Sequence, residues 1–333
     1  MSTVVTGEAW EVSYGIEDTP GTAVAASKFL GLFDKATLPD PEIEMNPFYG
    51  AGGHMNRGYF RMQRGKWQLQ GSFPDMILLS AHPLYLCMGK SSAISGGYNF
   101  DESCDLPSMT VTGTYIDCAG DVLLIRRYVG GKVGRVTLNC EEGEPAKLSL
   151  DDVTFLDIQH NLSGYPKYNA GVARETISYP TVQPFYFHGG TLTINGTVFA
   201  RVRGFTFECN NNVEGRYYWA SGNEFVPSSI IQGRREYSLT VKVDIDDNKL
   251  FQEIIQAGEY SDVFKGFPII FKMERDTDDY VEIQIPYDTV SASNHGCFIK
   301  KGKLDIVPDP LVTQELEIIA RKPRIVVKTN EVY

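Results

Sequence analysis

Asp244-Ile-Asp246-Asp-Asn248 has the alternating oxygen donors with which a calcium-binding loop begins. Such a loop turns at a glycine in position six and closes on a bidentate glutamate in position twelve. Lys249 and Ile255 stand there instead, so the acids are better read as caps of a helix whose positive end their charge suits. Tyr49-Gly-Ala-Gly-Gly-His54 is glycine-rich, but no strand–turn–helix pattern surrounds it to cradle a phosphate, and a plain loop is expected. Phe187-His-Gly-Gly190 has the residue types of an oxyanion-binding turn, yet no Gly-x-Ser-x-Gly elbow supplies a nucleophile. His54, His82, His160, His188 and His295 show no pair at metal-ligand spacing. Cys87, Cys104, Cys118, Cys140, Cys209 and Cys297 are widely spaced without a Cys-x-x-Cys pair, which suits small buried side chains in a reducing compartment. Asn161-Leu-Ser and Asn195-Gly-Thr match the glycosylation pattern, but nothing suggests secretion. These residues form no constellation. No catalytic residue, no metal and no cofactor is expected.

Charge and composition narrow the class further. The 31 basic and 42 acidic residues leave a net charge of −11, whereas a protein that grips nucleic acid by its phosphates needs clustered Lys and Arg. Residues 1–30 contain Glu8, Glu11, Glu17 and Asp18 and read as no signal peptide. No apolar run approaches the roughly 20 residues of a membrane-spanning helix. Hydrophobic residues make up 42%, enough for a packed core in a chain of 333 residues.

The elements that would position any site are mostly strands. Turn signals recur between short alternating segments, and strands are expected at Thr110–Ile116, Asp121–Ile125, Arg135–Leu138, Lys147–Leu150, Thr191–Ile194, Val202–Cys209, Glu236–Val243, Ile269–Met273, Tyr280–Ile285 and Leu316–Ile319. Leu250, Phe251, Ile254 and Ile255 make one helical stripe, capped by Asp246 or Asp247 and ended by Gly258. Pro74 to Gly89 is a second helical stretch, in which Pro83 predicts a kink or two short helices.

An internal repeat relates these pieces. Arg64-Gly-Lys-Trp-Gln-Leu-Gln-Gly-Ser-Phe73 leads to the first helical stretch, as Gln232-Gly-Arg-Arg-Glu-Tyr-Ser-Leu-Thr-Val241 leads to the second. The offset is 168 residues between Gly65 and Gly233, and 169 between Gly89 and Gly258. Upstream, Pro41-Glu-Ile-Glu-Met45 can be laid on Phe205-Thr-Phe-Glu-Cys209 at an offset of 164. Side chains alternate across a sheet. Trp67, Leu69 and Phe73, like Tyr237, Leu239, Val241 and Val243, give one apolar face. Gln68, Gln70 and Ser72, with Glu236, Ser238, Thr240 and Lys242, give a polar one; Glu42 and Glu44 match Thr206 and Glu208 upstream. The expected division is an arm over 1–30, one copy over 31–158, a linker over 159–190 rich in Pro and Gly, a second copy over 191–320, and an arm over 321–333. In that last arm Arg321, Lys322 and Arg324 flank Ile325-Val-Val327, which could add a strand to a neighbour's sheet edge.

The order of several motifs resembles the phage major tail tube protein family. They are Tyr14-Gly-x-Glu-Asp-Thr-Pro-Gly-Thr22 followed by Phe29-Leu-Gly-Leu32, the first glycine-ended helical block, and Gly131 to Leu150, in which a glycine-led strand, an acidic turn and another strand succeed one another. Val202 to Val213 and Gly233 to Val241 continue the likeness, which covers roughly residues 8–320. Departures are Pro83 within the first helix and an apparent insertion over 91–107.

The resemblance implies a mainly β fold with a few short helices: two tandem copies of a tube β-sandwich that contribute to the inner β-barrel of a ring. Single-copy relatives place six subunits in a ring, so a duplicated chain implies a trimeric ring with pseudo-sixfold symmetry. Stacked rings would form the hollow conduit for DNA ejection in the virion tail, assembled in the host cytoplasm with the tape measure, tail terminator and tail tip proteins. DNA would pass without specific binding and no membrane is implied. The polar set (Glu42, Glu44, Gln68, Gln70, Ser72, Thr206, Glu208, Glu236, Ser238 and Thr240) would line the channel. The aromatics of two long polar segments (Phe48, Tyr49, Tyr59 and Phe60; Tyr217, Tyr218, Trp219 and Phe225) would reach the next ring. The competing readings are a tail-associated β protein that binds or hydrolyses carbohydrate through a carboxylate pair, a monomeric ligand-binding barrel, which would need an apolar pocket, and the tube of a contractile machine or secretion apparatus, which would share the fold.

Overall fold

A computed structural model describes residues 10–32, 35–40, 42–49, 60–117, 119–194, 196–199, 202–218, 226–244, 266–286, 296–305 and 313–329. Side chains are described throughout these segments except at 42–49, 60–67, 197, 199, 299, 301–305 and 313–314. The first half of the chain forms β1 (Trp10–Glu17), β2 (Lys28–Phe29), β3 (Glu42–Tyr49), β4 (Phe60–Gln68), β5 (Gln70–Ile77), β6 (Gly89–Ile94), β7 (Gly97–Glu102), β8 (Ser108–Ile116), β9 (Val122–Gly131), β10 (Arg135–Glu141), β11 (Lys147–Thr154) and β12 (Asp157–His160). The second forms β13 (Gly190–Ile194), β14 (Thr197–Phe199), β15 (Val202–Asn210), β16 (Val213–Arg216), β17 (Ser229–Gln232), β18 (Glu236–Asp244), β19 (Ile269–Asp276), β20 (Asp279–Ile285), β21 (Phe298–Asp305), β22 (Thr313–Ala320) and β23 (Arg324–Lys328).

A seven-stranded sheet in the order β21-β22-β18-β15-β10-β11-β5 runs through both halves. One outer sheet has the order β12-β9-β8-β1-β2, the other β14-β13-β19-β20-β23-β7-β6, and among the described residues no sheet closes into a barrel. The halves follow one topology. β1-β8-β9-β12 in the first outer sheet is matched in chain order by β13-β19-β20-β23 in the second. The β6–β7 hairpin, the apparent insertion, borders β23 of the other half.

Alternation explains the layering. Val136, Leu138 and Cys140, with Phe205, Phe207, Cys209, Leu239, Val241, Leu316 and Ile318, are all buried on one side of the seven-stranded sheet. They meet the outer sheets there: Phe205 stacks on Phe271 of β19 with ring centroids 3.8 Å apart and planes at 14°. In the first half Tyr128 of β9 packs on Phe155 at 5.3 Å. Each such side chain is worth about 1.5–3 kcal/mol on burial. A polar node is buried in the first outer sheet. The Glu17 carboxylate accepts the hydroxyls of Thr110 and Ser108 at 2.7 Å, and the N–H groups of Gly130 and Gly21 at 2.8 Å. Gly130 holds φ at +70°, and a Cβ there would come within 2.9 Å of Leu156 carbons, so only glycine presents its N–H in this way.

The first helical stretch is much shorter than expected, and Pro83 does not kink it but sits in its first turn, where a proline is tolerated. β5 continues through residues 74–77, and the helix shrinks to a 3-10 turn, His82–Leu84, and α1, Tyr85–Met88. Gly89 ends it at φ 93° in the left-handed region. The helix expected between Asp246 and Gly258 lies outside the described residues. Both stretches expected as arms carry strands of the sheets. β1 lies between β8 and β2, and β23 between β20 and β7 of its own chain, which replaces the expected docking of 324–327 onto a neighbour.

Candidate channel-facing sheet

The side of the seven-stranded sheet opposite the core is a polar surface built from both halves. The ladders set its rows. Asn139, Thr206, Thr240 and Glu317 stand side by side on β10, β15, β18 and β22, and Thr137, Glu208 and Ser238 form the next row. Thr206 donates its hydroxyl to Asn139 Oδ1 at 2.9 Å, which joins the halves on this face. Gln70 and Ser72 belong to the same face on β5, while Phe73 and, just before the strand, Leu69 turn inward. Glu236, Ser238, Gln68 and Gln70 are exposed; Thr206, Glu208, Thr240 and Ser72 are half-buried. Eight of the residues read as one polar set are thus accessible, and seven of them share this sheet. Gln68 ends β4, just before β5 begins.

Glu42 and Glu44 stand elsewhere. They lie on β3, which pairs with β4 outside the seven-stranded sheet, and their side chains are outside the described residues. The segment beside β5 is formed by earlier residues: Leu32 bridges Ile77 and Thr37 bridges Ser72. Glu42 faces Gln68 as Asn210 faces Glu236, so the upstream halves align at 168–169 residues and not at 164. In each half the hairpin continues past the sheet, as β3–β4 in the first and β16–β17 in the second.

Alternation within β10, β11 and β22 would have added further residues to the set. Among the residues whose side chains are described, the acids Glu141, Asp151, Glu208, Glu236, Asp244, Glu315 and Glu317 on this face outnumber the bases Arg135, Lys147 and Lys242, while in the ladder Lys301 and Lys303 of β21 stand opposite Glu317 and Glu315. The bases have acidic partners. Lys242 Nζ lies 3.1 Å from Glu141 Oε1, Arg135 3.9 Å from Asp151, and Lys147 pairs with Glu144. Burial, opposed by Arg135, raises the Asp151 carboxyl above its ordinary value. A groove on this face, over Glu208, Glu236, Ser238, Thr240 and Glu317, also takes in Arg234, Lys300, Arg321 and Lys322, so its lining is mixed in charge.

The residues expected at ring-to-ring contacts cluster at the outer ends of the two hairpins. Tyr49 faces Phe60 and Phe48 faces Arg61 in the β3–β4 ladder. Tyr217 is half-buried and Tyr218 is 56% exposed just past β16. Tyr59, Trp219 and Phe225 lie outside the described residues.

The family model for the phage tail tube protein matches residues 10–279, across both halves and the shared sheet. The chain belongs to the phage tail tube protein family. No curated protein matches it. Membership makes the chain a structural component of the virion tail, one that assembles with itself into a tube and associates with other tail proteins.

Proposed function

We propose that three copies of the chain close into a ring with pseudo-sixfold symmetry, each half occupying one of six places, and that stacked rings form the conduit for DNA ejection. The continuity of the sheet across β10 and β15 carries this reading. Two halves of like topology are already joined edge to edge, as neighbours around a barrel would be. Assembly in the host cytoplasm, and contacts with tape measure, terminator and tip proteins, complete the role.

The polar face lines the lumen on this account. Phosphates are held by Lys and Arg contacts; a surface with surplus carboxylates and small neutral groups repels them. Turning the sheet over would bring Phe205, Phe207, Leu239 and Val241 into the channel, at a cost of about 1.5–3 kcal/mol for each large side chain. The test is E208K combined with E236K. Tubes should assemble and DNA ejection should slow or stop. Tubes that assemble and eject DNA at the wild-type rate would refute the lumen assignment.

A further inference from the structure

We infer that the outer edge of β21 pairs antiparallel with residues 37–40 of a second copy of the chain, with Leu304 opposite Leu38. The inference rests on the ring reading and adds the strands and their register.

The junction inside the chain is the template. There Val136 faces Cys209 and Leu138 faces Phe207. The ladders identify the counterparts. Phe73 faces Leu150, which faces Val136; Val241 faces Leu316, which faces Gly302. Phe73 and Val241 hold the same place in the repeat, so β21 corresponds to β10 and Leu304 to Leu138. Thr206 faces Thr240, and Thr37 bridges Ser72, the counterpart of Thr240. Leu38 therefore corresponds to Phe207. Each counterpart has one edge taken, β21 by β22 and the 37–40 segment by β5. Among the described residues neither has a partner on its other edge. An open edge needs a cover. The two are complementary halves of a head-to-tail contact, the kind that closes into a ring.

Hydrogen-bond direction supports the pairing. Thr37 donates to Ser72 at 2.8 Å and accepts from it at 3.0 Å, so both its backbone groups point inward. Groups alternate between edges along a strand, so Leu38 and Asp40 direct theirs outward. Pro39 shares the parity of Thr37, and its missing N–H takes no donor from the outward edge. The register also sets leucine against leucine, as the template sets Leu138 against Phe207; a one-residue slip would exchange the faces.

Asp305 and Thr37 fall at a non-hydrogen-bonded pair, where Cα atoms come within about 4.5 Å and a disulfide can form. The double variant T37C/D305C, oxidised after assembly, should give covalent dimers and trimers on a non-reducing gel. Each single variant, and the T37C/K303C pair two residues out of register, should not. Rings seen by microscopy without this cross-link would overturn the pairing and leave the ring reading standing. A wild-type chain that stays monomeric would overturn both. Should the double variant fail to assemble, hydrogen exchange on the wild type decides: the amides of Leu38 and Asp40, and those of 298–305, should gain protection on assembly, and unchanged exchange in either segment would overturn the pairing.

Discussion

The guanidinium of Arg235, on the second half, donates to the carbonyl of Met88, at the end of α1 in the first half, at 3.1 Å. It also donates to Ser103 O at 2.7 Å, and its side chain is only 7% exposed. Arg275, also on the second half, makes a similar contact. It donates to Leu79 O at 3.0 Å and Gln183 O at 2.7 Å, and lies 4.1 Å from the centre of the Phe185 ring. Two buried cations of the second half thus tie it to backbone carbonyls of the first.

R235A and R275A should each destabilise the subunit by about 2–4 kcal/mol, because they orphan buried carbonyls as well as losing charged hydrogen bonds. Chemical denaturation of the unassembled chain measures this. A loss below about 0.5 kcal/mol for both would contradict the role given to them.

His82 predicts an acid sensitivity. Burial, assisted by the nearby charge of Lys28, pushes its imidazole down to about 4, while in the unfolded chain it titrates near 6.5. The unfolded state therefore binds a proton that the folded state refuses between those values. Stability from this group is complete above about pH 6.5 and falls, by up to about 3 kcal/mol, as pH drops towards 4. H82Q should flatten the urea midpoint between pH 7 and 4.5 relative to wild type; parallel curves would count against it.

Cysteine reactivity should divide by burial. Cys104 is exposed, whereas burial pushes the Cys140 thiol up to about 12, and the thiolate is the reactive form. At pH 8 iodoacetamide should label Cys104 and leave Cys140 intact until the protein is unfolded. The same shift makes the folded state lose stability as pH rises from about 9 towards 12, since only the unfolded thiol then releases its proton. Equal labelling of the two thiols in the native protein would be the contrary result.

On the second hairpin Tyr218, just past β16, is 56% exposed and Ile231, opposite Glu214 near its base, is 44% exposed; large apolar groups so placed suit contact with another molecule. Y218E/I231E should leave a folded subunit that forms rings but short tubes, seen by sedimentation and negative-stain microscopy. Tubes of normal length would remove this hairpin from ring stacking.

Much of the sheet was legible because period-two alternation reports a face directly. Glu236, Ser238 and Thr240 alternate with Tyr237, Leu239 and Val241, and the structure separates them accordingly. Alternation does not report register. Laying 41–45 on 205–209 instead of on 209–213 shifts the match by four residues, which keeps every parity and so leaves no signal of error. The strands taken for arms failed for another reason. In β1, Ser13, Tyr14 and Gly15 are buried consecutively between two strands, and a strand covered on both faces loses the alternation that identifies it. β23 has only five residues, three of them a buried Ile-Val-Val run, and such a run fits a loose tail as well as a strand.

The most direct test of the whole account is an electron cryomicroscopy reconstruction of the self-assembled tube. The account predicts three chains per ring, sixfold modulation of the inner wall, and Thr206, Glu208, Ser238 and Thr240 facing the lumen. Six whole chains per ring, or a lumen lined by the opposite face of the sheet, would contradict it.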